Sequence, residues 1–264
     1  MPTTYTHDLF GKRVYQKLPE EMQTLIRRNG NIFRIGLHGP DILFYDLLSA
    51  DTIDAGVKMH DEKARAFFER GMEQVRRTGN EPMLAYLLGF ACHYILDAKC
   101  HPYVNELDAN QVISHTAVEK ELDRYLMIKT GYNPHRFYPA YCIRPKLRYA
   151  HVIHKLFPKI KTEQIYKSLR CMKLITRLMV YDDRGAKRFV MKIGTKFVGR
   201  KRAQMVMDFF MTKNPVKGSR VPVARLVKLF DEAVQEAPAY LKELYQLKEV
   251  PYPLSRRWER TFNG

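Results

Sequence analysis

Two stretches of the chain place histidine and carboxylate side chains one helical turn apart. His93, Asp97 and His101 recur at every fourth position in HYILDAKCHP, and His115 and Glu119 repeat the pattern in HTAVE. On an α-helix, residues four apart sit about 40° apart around the axis, so each set can line one side. Imidazole nitrogen and carboxylate oxygen are donors that Zn²⁺ accepts at about 2.0–2.2 Å. Two ligands on one rigid element also lose little chain entropy on binding. A looser third set consists of His7, Asp41 in the turn GLHGPDI, and His60, which reads as standing at a helix start. Carboxylates can bridge neighbouring ions. Clustered zinc lowers the pKa of bound water and clamps the attacking and leaving oxygens of a phosphate ester. A single His–acid pair at this spacing is equally explained by a surface ion pair. HxxxD on an apolar helix is more telling, because a buried Asp needs a strong partner. The residues by themselves point to a metal site and leave the number of ions and the reaction open.

The elements that must carry these residues read as helical nearly throughout. Pro19 precedes a short helix over 20–28, and 61–78 opens acidic and closes basic, as the helix dipole prefers. The segment 81–100 is apolar on most faces, which implies a central position. Pro102 disfavours helical geometry at His101, so that ring is expected to project from the helix end. A further helix over 115–130 has Ser114 as its cap and Gly131 as its stop. The loop-like GYNPHRFYPAYCIRP after it marks a boundary between a zinc-binding core, 1–133, and a basic helical region, 134–264, packed on it. Helices are expected there over 146–156, 162–181, 186–212 and 222–247, the last broken at Pro238. No period-two run demands a sheet. The fold expected is all-α, a multi-helix bundle around a polynuclear metal site with a basic helical C-terminal extension.

Charge is distributed unevenly. The formal net charge is +17, yet residues 1–130 hold 16 Lys and Arg against 18 Asp and Glu, and the remainder hold 29 against 10. The basic second half should attract a polyanion such as an anionic membrane surface or nucleic acid. The longest apolar runs fall short of the ~20 residues that span a bilayer. The first residues lack the apolar stretch of a secretory leader, so a cytoplasmic protein, peripheral to the membrane, is expected. The four cysteines form no CxxC pair and read as buried thiols. His38 reads as a solvent or supporting group, and His135, His151 and His154 as surface residues.

The ordered set THDLFG, GLHGPDI, a lone His60, GFACHYILDAKCHPY and SHTAVEKELD resembles the zinc-dependent phospholipase C family, whose wider superfamily includes the P1/S1 nucleases. The resemblance covers roughly residues 1–130 and lies in the order His, Asp, His, HxxxD, His, HxxxE. It implies a helical bundle holding three zinc ions. His101, His115 and Glu119 would hold one, and Asp41, His60, His93 and Asp97 a second. His7, with Asp97 as a bridge, would help hold a third. Asp41 would orient or deprotonate the attacking water. Secreted members complete the third site with an N-terminal Trp, whereas the only Trp here is Trp258. Two zinc ions are therefore expected, and the third either uses the amine of Pro2 or Met1, or is held only weakly by His7 and Asp97 with water, or its site stays empty. The activity implied is cleavage of phospholipids to diacylglycerol and a phosphorylated head group, with docking on phospholipid through the basic half. A nuclease or phosphomonoesterase with the same metals, and a non-catalytic lipid- or nucleic-acid-binding protein with a retained zinc site, are the competing readings.

Overall fold

The structure, a computed structural model, describes residues 4–180 and 207–264 together with residues 186, 189 and 193. The amine expected at Pro2 or Met1 and most of the helix expected over 186–212 lie outside the described residues. The protein is all-α. Helices with described bounds are α1 (Thr4–Tyr15), α2 (Glu20–Arg28), α3 (Gly30–Gly36), α4 (Ala50–Asp61), α5 (Ala64–Thr78), α6 (Glu81–Ala109), α7 (His115–Lys129), α8 (Leu147–Leu156), α9 (Thr162–Leu178) and α10 (Arg220–Gln246). Short 3₁₀ turns lie at Gly39–Tyr45, Pro139–Cys142 and Arg256–Glu259. Among the described residues, no helix is long and apolar enough to cross a membrane.

The chain forms two compact units. The smaller comprises Met1–Thr6, Tyr103–Tyr141 and Lys173–Lys228, and the larger His7–Pro102, Cys142–Met172 and Leu229–Gly264. In the larger unit α6 is the centre: every residue from Met83 to Ala98 is buried, as a helix apolar on all faces requires. Glycines let other backbone come unusually close to it. A Cβ on Gly36 would lie 2.3 Å from the Tyr86 carbonyl oxygen, and one on Gly89 would lie 2.2 Å from that of Phe33. These two positions seat α3 directly on α6, and the 3₁₀ turn carrying Asp41 follows immediately.

Three helix boundaries differ from expectation. α6 does not end at His101 but runs through Pro102 to Ala109. An internal proline costs about 3 kcal/mol by removing a bond and crowding the preceding turn. Here Cys100, His101, Val104 and Leu107 are all buried on either side of it, so tertiary packing outweighs the local penalty. α10 likewise continues through Pro238, flanked by buried Val234, Ala237, Leu241 and Leu244. Finally, Glu62 and Lys63 are extended, so α5 begins only at Ala64 and Asp61 completes α4. His60 therefore sits in the last turn of α4, not at a helix start. The Ser49 hydroxyl caps that helix by accepting from the Thr52 amide at 3.3 Å.

The smaller unit is organised around α7. Ser114 caps it as expected, accepting from the Ala117 amide, and Gly131, with φ of 82°, follows its end. Buried Asp123 accepts the amides of Tyr5 and Thr6 at 3.3 and 2.8 Å and the Thr6 hydroxyl at 2.6 Å. An anion there satisfies the otherwise orphaned donors at the start of α1 and suits the positive end of its dipole. Arg124 donates to Glu121 and to the Thr212 carbonyl oxygen, and His135 lies 3.3 Å from it. His135 is thus part of an internal polar network, and His154 bonds the Ile160 carbonyl at 2.8 Å. Only His151 of the three is exposed.

The segment after α10 packs back onto the larger unit. Trp258 is fully buried among Phe68, Tyr94 and Tyr240, with ring centroids 4.7–5.5 Å away. Its indole N–H donates to Glu243 at 3.2 Å. Trp258→Ala should lower stability by about 3–5 kcal/mol, the usual cost of deleting a buried indole, measured by urea unfolding. A loss below about 1 kcal/mol would show that this segment contributes little to the core.

Candidate metal centre

The rigid floor of the site is α6, which projects His93, Asp97 and His101 from successive turns. All three are buried. Asp97 is the hub. Its Oδ1 faces His7 Nε2 at 3.3 Å and His101 Nε2 at 3.7 Å, while its Oδ2 faces His93 Nε2 at 2.9 Å and His60 Nε2 at 3.9 Å. The two oxygens of one carboxylate thus address two different sets of imidazoles. His7 arrives from α1, its ring stacked on that of His93 at a centroid distance of 4.3 Å. Asp41 arrives from the 3₁₀ turn, with Oδ1 3.2 Å from His60 Nε2 and 4.0 Å from His93 Nε2. Gly39 makes this approach possible: its φ is 47°, and a Cβ there would lie 2.2 Å from the His93 ring.

Within the larger unit, two groups of three meet the requirements of a shared ion. In the sets His7, His93, Asp97 and Asp41, His60, His93, one ligand atom from each residue lies within 4.8 Å of the others. Donors held at 2.0–2.2 Å from one ion can stand up to about 4.4 Å apart, so the groups need close by only a few tenths of an ångström. A neutral imidazole has one acceptor nitrogen, so His93 can serve one ion at a time, and the second oxygen of Asp97 is what can link two. The orientation of the rings agrees. Neither nitrogen of buried His93, nor Nδ1 of buried His7, finds a hydrogen-bond partner, even though His93 Nε2 is only 2.9 Å from Asp97. The lone pair of His93 Nε2 is thus left for a ligand that it can share with the Asp97 carboxylate beside it. His60 shows the complementary feature: its Nδ1 pairs with the Gly56 carbonyl at 2.8 Å, which fixes the tautomer and leaves Nε2 turned toward Asp41. The donor set and its geometry fit zinc.

Electrostatics follow from enclosure. Burial raises the Asp97 carboxyl, but the neighbouring charges of His101, His93 and His7 hold it well below its ordinary value. Asp41 is treated the same way: burial opposes ionisation, and the charge of His93 and the hydrogen bond from His60 help to bring its pKa down. Burial also pulls His60 down, but the hydrogen bond to Asp41 and the charges of both aspartates raise it overall. His93 is pushed down by burial despite Asp97. Neutral nitrogen and ionised oxygen are the forms that ligate metal.

His38 is not a solvent group. It is buried beside the site, with Nε2 3.5 Å from the Cys142 thiol. Burial, then the charge of His7, lowers its pKa to about 3. Cys92, Cys100 and Cys142 are buried thiols, whereas Cys171, expected to be buried as well, is partly exposed on α9. In the smaller unit, His115 Nε2 and Glu119 Oε1 stand 3.2 Å apart across one turn of α7, and Asn105 Oδ1 pairs with His115 Nδ1 at 3.2 Å.

One residue escaped the sequence reading. Phe262, fully buried, stands 5.5 Å from the His60 ring and 5.9 Å from that of His93. Its amide donates to the His60 carbonyl oxygen at 3.2 Å. It walls the ligands on one side, and nothing in the local sequence RTFNG distinguishes it from any other apolar residue.

A family model described as zinc dependent phospholipase C matches residues 6–178, well over half of the chain. No curated protein and no solved structure matches the chain closely enough to add a relative.

Because Asp97 touches both ligand groups, Asp97→Ala is expected to remove more than one zinc per chain, and His60→Ala about one. Elemental analysis of protein never exposed to chelator measures this directly. Equal losses in the two variants would remove Asp97 from the bridging position.

Proposed function

The chain belongs to the zinc-dependent phospholipase C family, and from that premise we propose that it cleaves phospholipids to diacylglycerol and a phosphorylated head group. The observation that carries the reading is the divided Asp97 carboxylate, with Asp41 and four imidazoles arrayed about it in a buried site. In this assignment Asp41, His60, His93 and Asp97 would hold one zinc ion, and His7 with Asp97 would help to hold another. His101, His115 and Glu119 would hold a third, as the resemblance to the family implies. Zinc so held supplies Lewis acidity toward a phosphoryl oxygen and a lowered pKa for water.

The protein's own groups do the rest. Asp41 accepts a proton from the attacking water or orients it, and the Gly39 turn fixes its place above His93. His60, with Nδ1 committed to Gly56, keeps its other nitrogen toward Asp41. Phe262 on one side keeps bulk water from the ligand rings and so strengthens every charge interaction within. The basic residues of the second half attract an anionic lipid surface, at about 1 kcal/mol per well-placed Lys or Arg.

Turnover should appear with phospholipid vesicles and not with single-stranded oligonucleotides under the same conditions. The reverse preference would move the assignment to the nuclease branch. Asp41→Asn should lower turnover about 100-fold or more, the scale of a lost general base. It should retain more zinc than His93→Ala, because an amide oxygen still ligates weakly but accepts no proton. Full activity in a folded Asp41→Asn protein would contradict the role given to this carboxylate.

A further inference from the structure

A groove of about 360 Å³ opens on the larger unit between α4, the start of α5 and the α8–α9 loop. Its floor is Met59, Phe67, Phe157, Ile160 and Phe262, all apolar and mostly buried. Its rim is cationic: Lys58, Arg70 and Lys159 are exposed there, and Lys63, 3.2 Å from Glu259, stands beside the single acidic rim residue Glu62. The inner end is closed by Phe262, whose ring also meets His60 and His93. Phe262 therefore borders both the groove and the ligand rings.

We propose that this groove binds one acyl chain carrying an anionic end group, with the chain on the aromatic floor and the anion among Lys58, Arg70 and Lys159. An apolar floor favours the chain by removing its surface from water. The excess of cations over the one acidic rim residue selects the charged end, and the arginine offers a planar fork suited to a carboxylate or phosphate. The groove's volume of about 360 Å³ falls within the range of small-ligand sites. Nothing in this reasoning depends on hydrolysis, so the groove stands apart from the catalytic reading.

The test is displacement of a fluorescent long-chain carboxylate from the full-length protein by dodecanoate below its micelle concentration. Dodecanoate should displace the probe from one site per chain, and butyrate and inorganic phosphate should not. Ala66 lines the groove and is exposed, so Ala66→Trp fills it without disturbing the core and should weaken binding about tenfold or more. Lys58→Glu combined with Lys159→Glu should weaken it about fivefold or more. Thermal melts confirm that each variant is folded. Absence of saturable binding, dodecanol competing as well as dodecanoate, or unchanged affinity in folded Ala66→Trp would each overturn the proposal. Because the readout is binding and not turnover, its failure and the failure of the hydrolase reading are separately visible.

Discussion

A carboxylate removed from water must be compensated or it will not stay ionised, and the larger unit is built around one such group. Asp97 lies in the continuously buried stretch Met83–Ala98 of α6, with almost no solvent to hold its charge. It is balanced by imidazoles from two other elements, His7 on α1 and His60 at the end of α4, and by His93 and His101 on its own helix. In the absence of cations at this point, such an arrangement would be among the costlier features a core can carry. The close approach of α3 to α6 at Gly36 and Gly89, and the turn at Gly39 that presents Asp41, make sense as devices for bringing a second carboxylate to the same spot.

The enclosure of the site reaches beyond the segment that carries the ligands. The family match ends at residue 178, whereas Phe262 and the turn holding Trp258 come from the last residues of the chain. The Phe262 amide bonds to the backbone of His60, and Asn263 donates to the side chain of Asp61 at 2.8 Å. These contacts fix the last turn of α4, and with it the direction of the His60 ring. The ligands supply the chemistry, and the C-terminal segment supplies part of the rigidity that holds donors within bonding distance of a shared ion.

Much of this was legible in the residue pattern. The spacing of His93, Asp97 and His101 placed them on one helix, and the apolar character of 81–100 correctly gave that helix a central position. The caps at Ser114 and Gly131 marked α7 to within a residue. What escaped was decided by tertiary packing. Pro102 and Pro238 are local helix breakers, and only the burial of residues on both sides of each explains why α6 and α10 continue. α4 is weakly patterned and short, so its existence, and the place of His60 in its last turn, could not be read from DTIDAGVKMHD. His38 looked like a polar turn residue because the sequence cannot show that the 139–142 turn brings Cys142 against it. Phe262 is about 160 residues from the nearest ligands in α6, a separation at which no local pattern carries information.

The central claim is that Asp97 bridges two metal ions. Diffraction from crystals grown with zinc, recorded on both sides of the zinc absorption edge, tests it most directly. The account predicts two anomalous peaks about 3.5–4 Å apart, one beside each oxygen of Asp97, with His7 near one and Asp41, His60 and His93 around the other. A single peak on one oxygen of Asp97, or no peak within bonding distance of it, would contradict the claim.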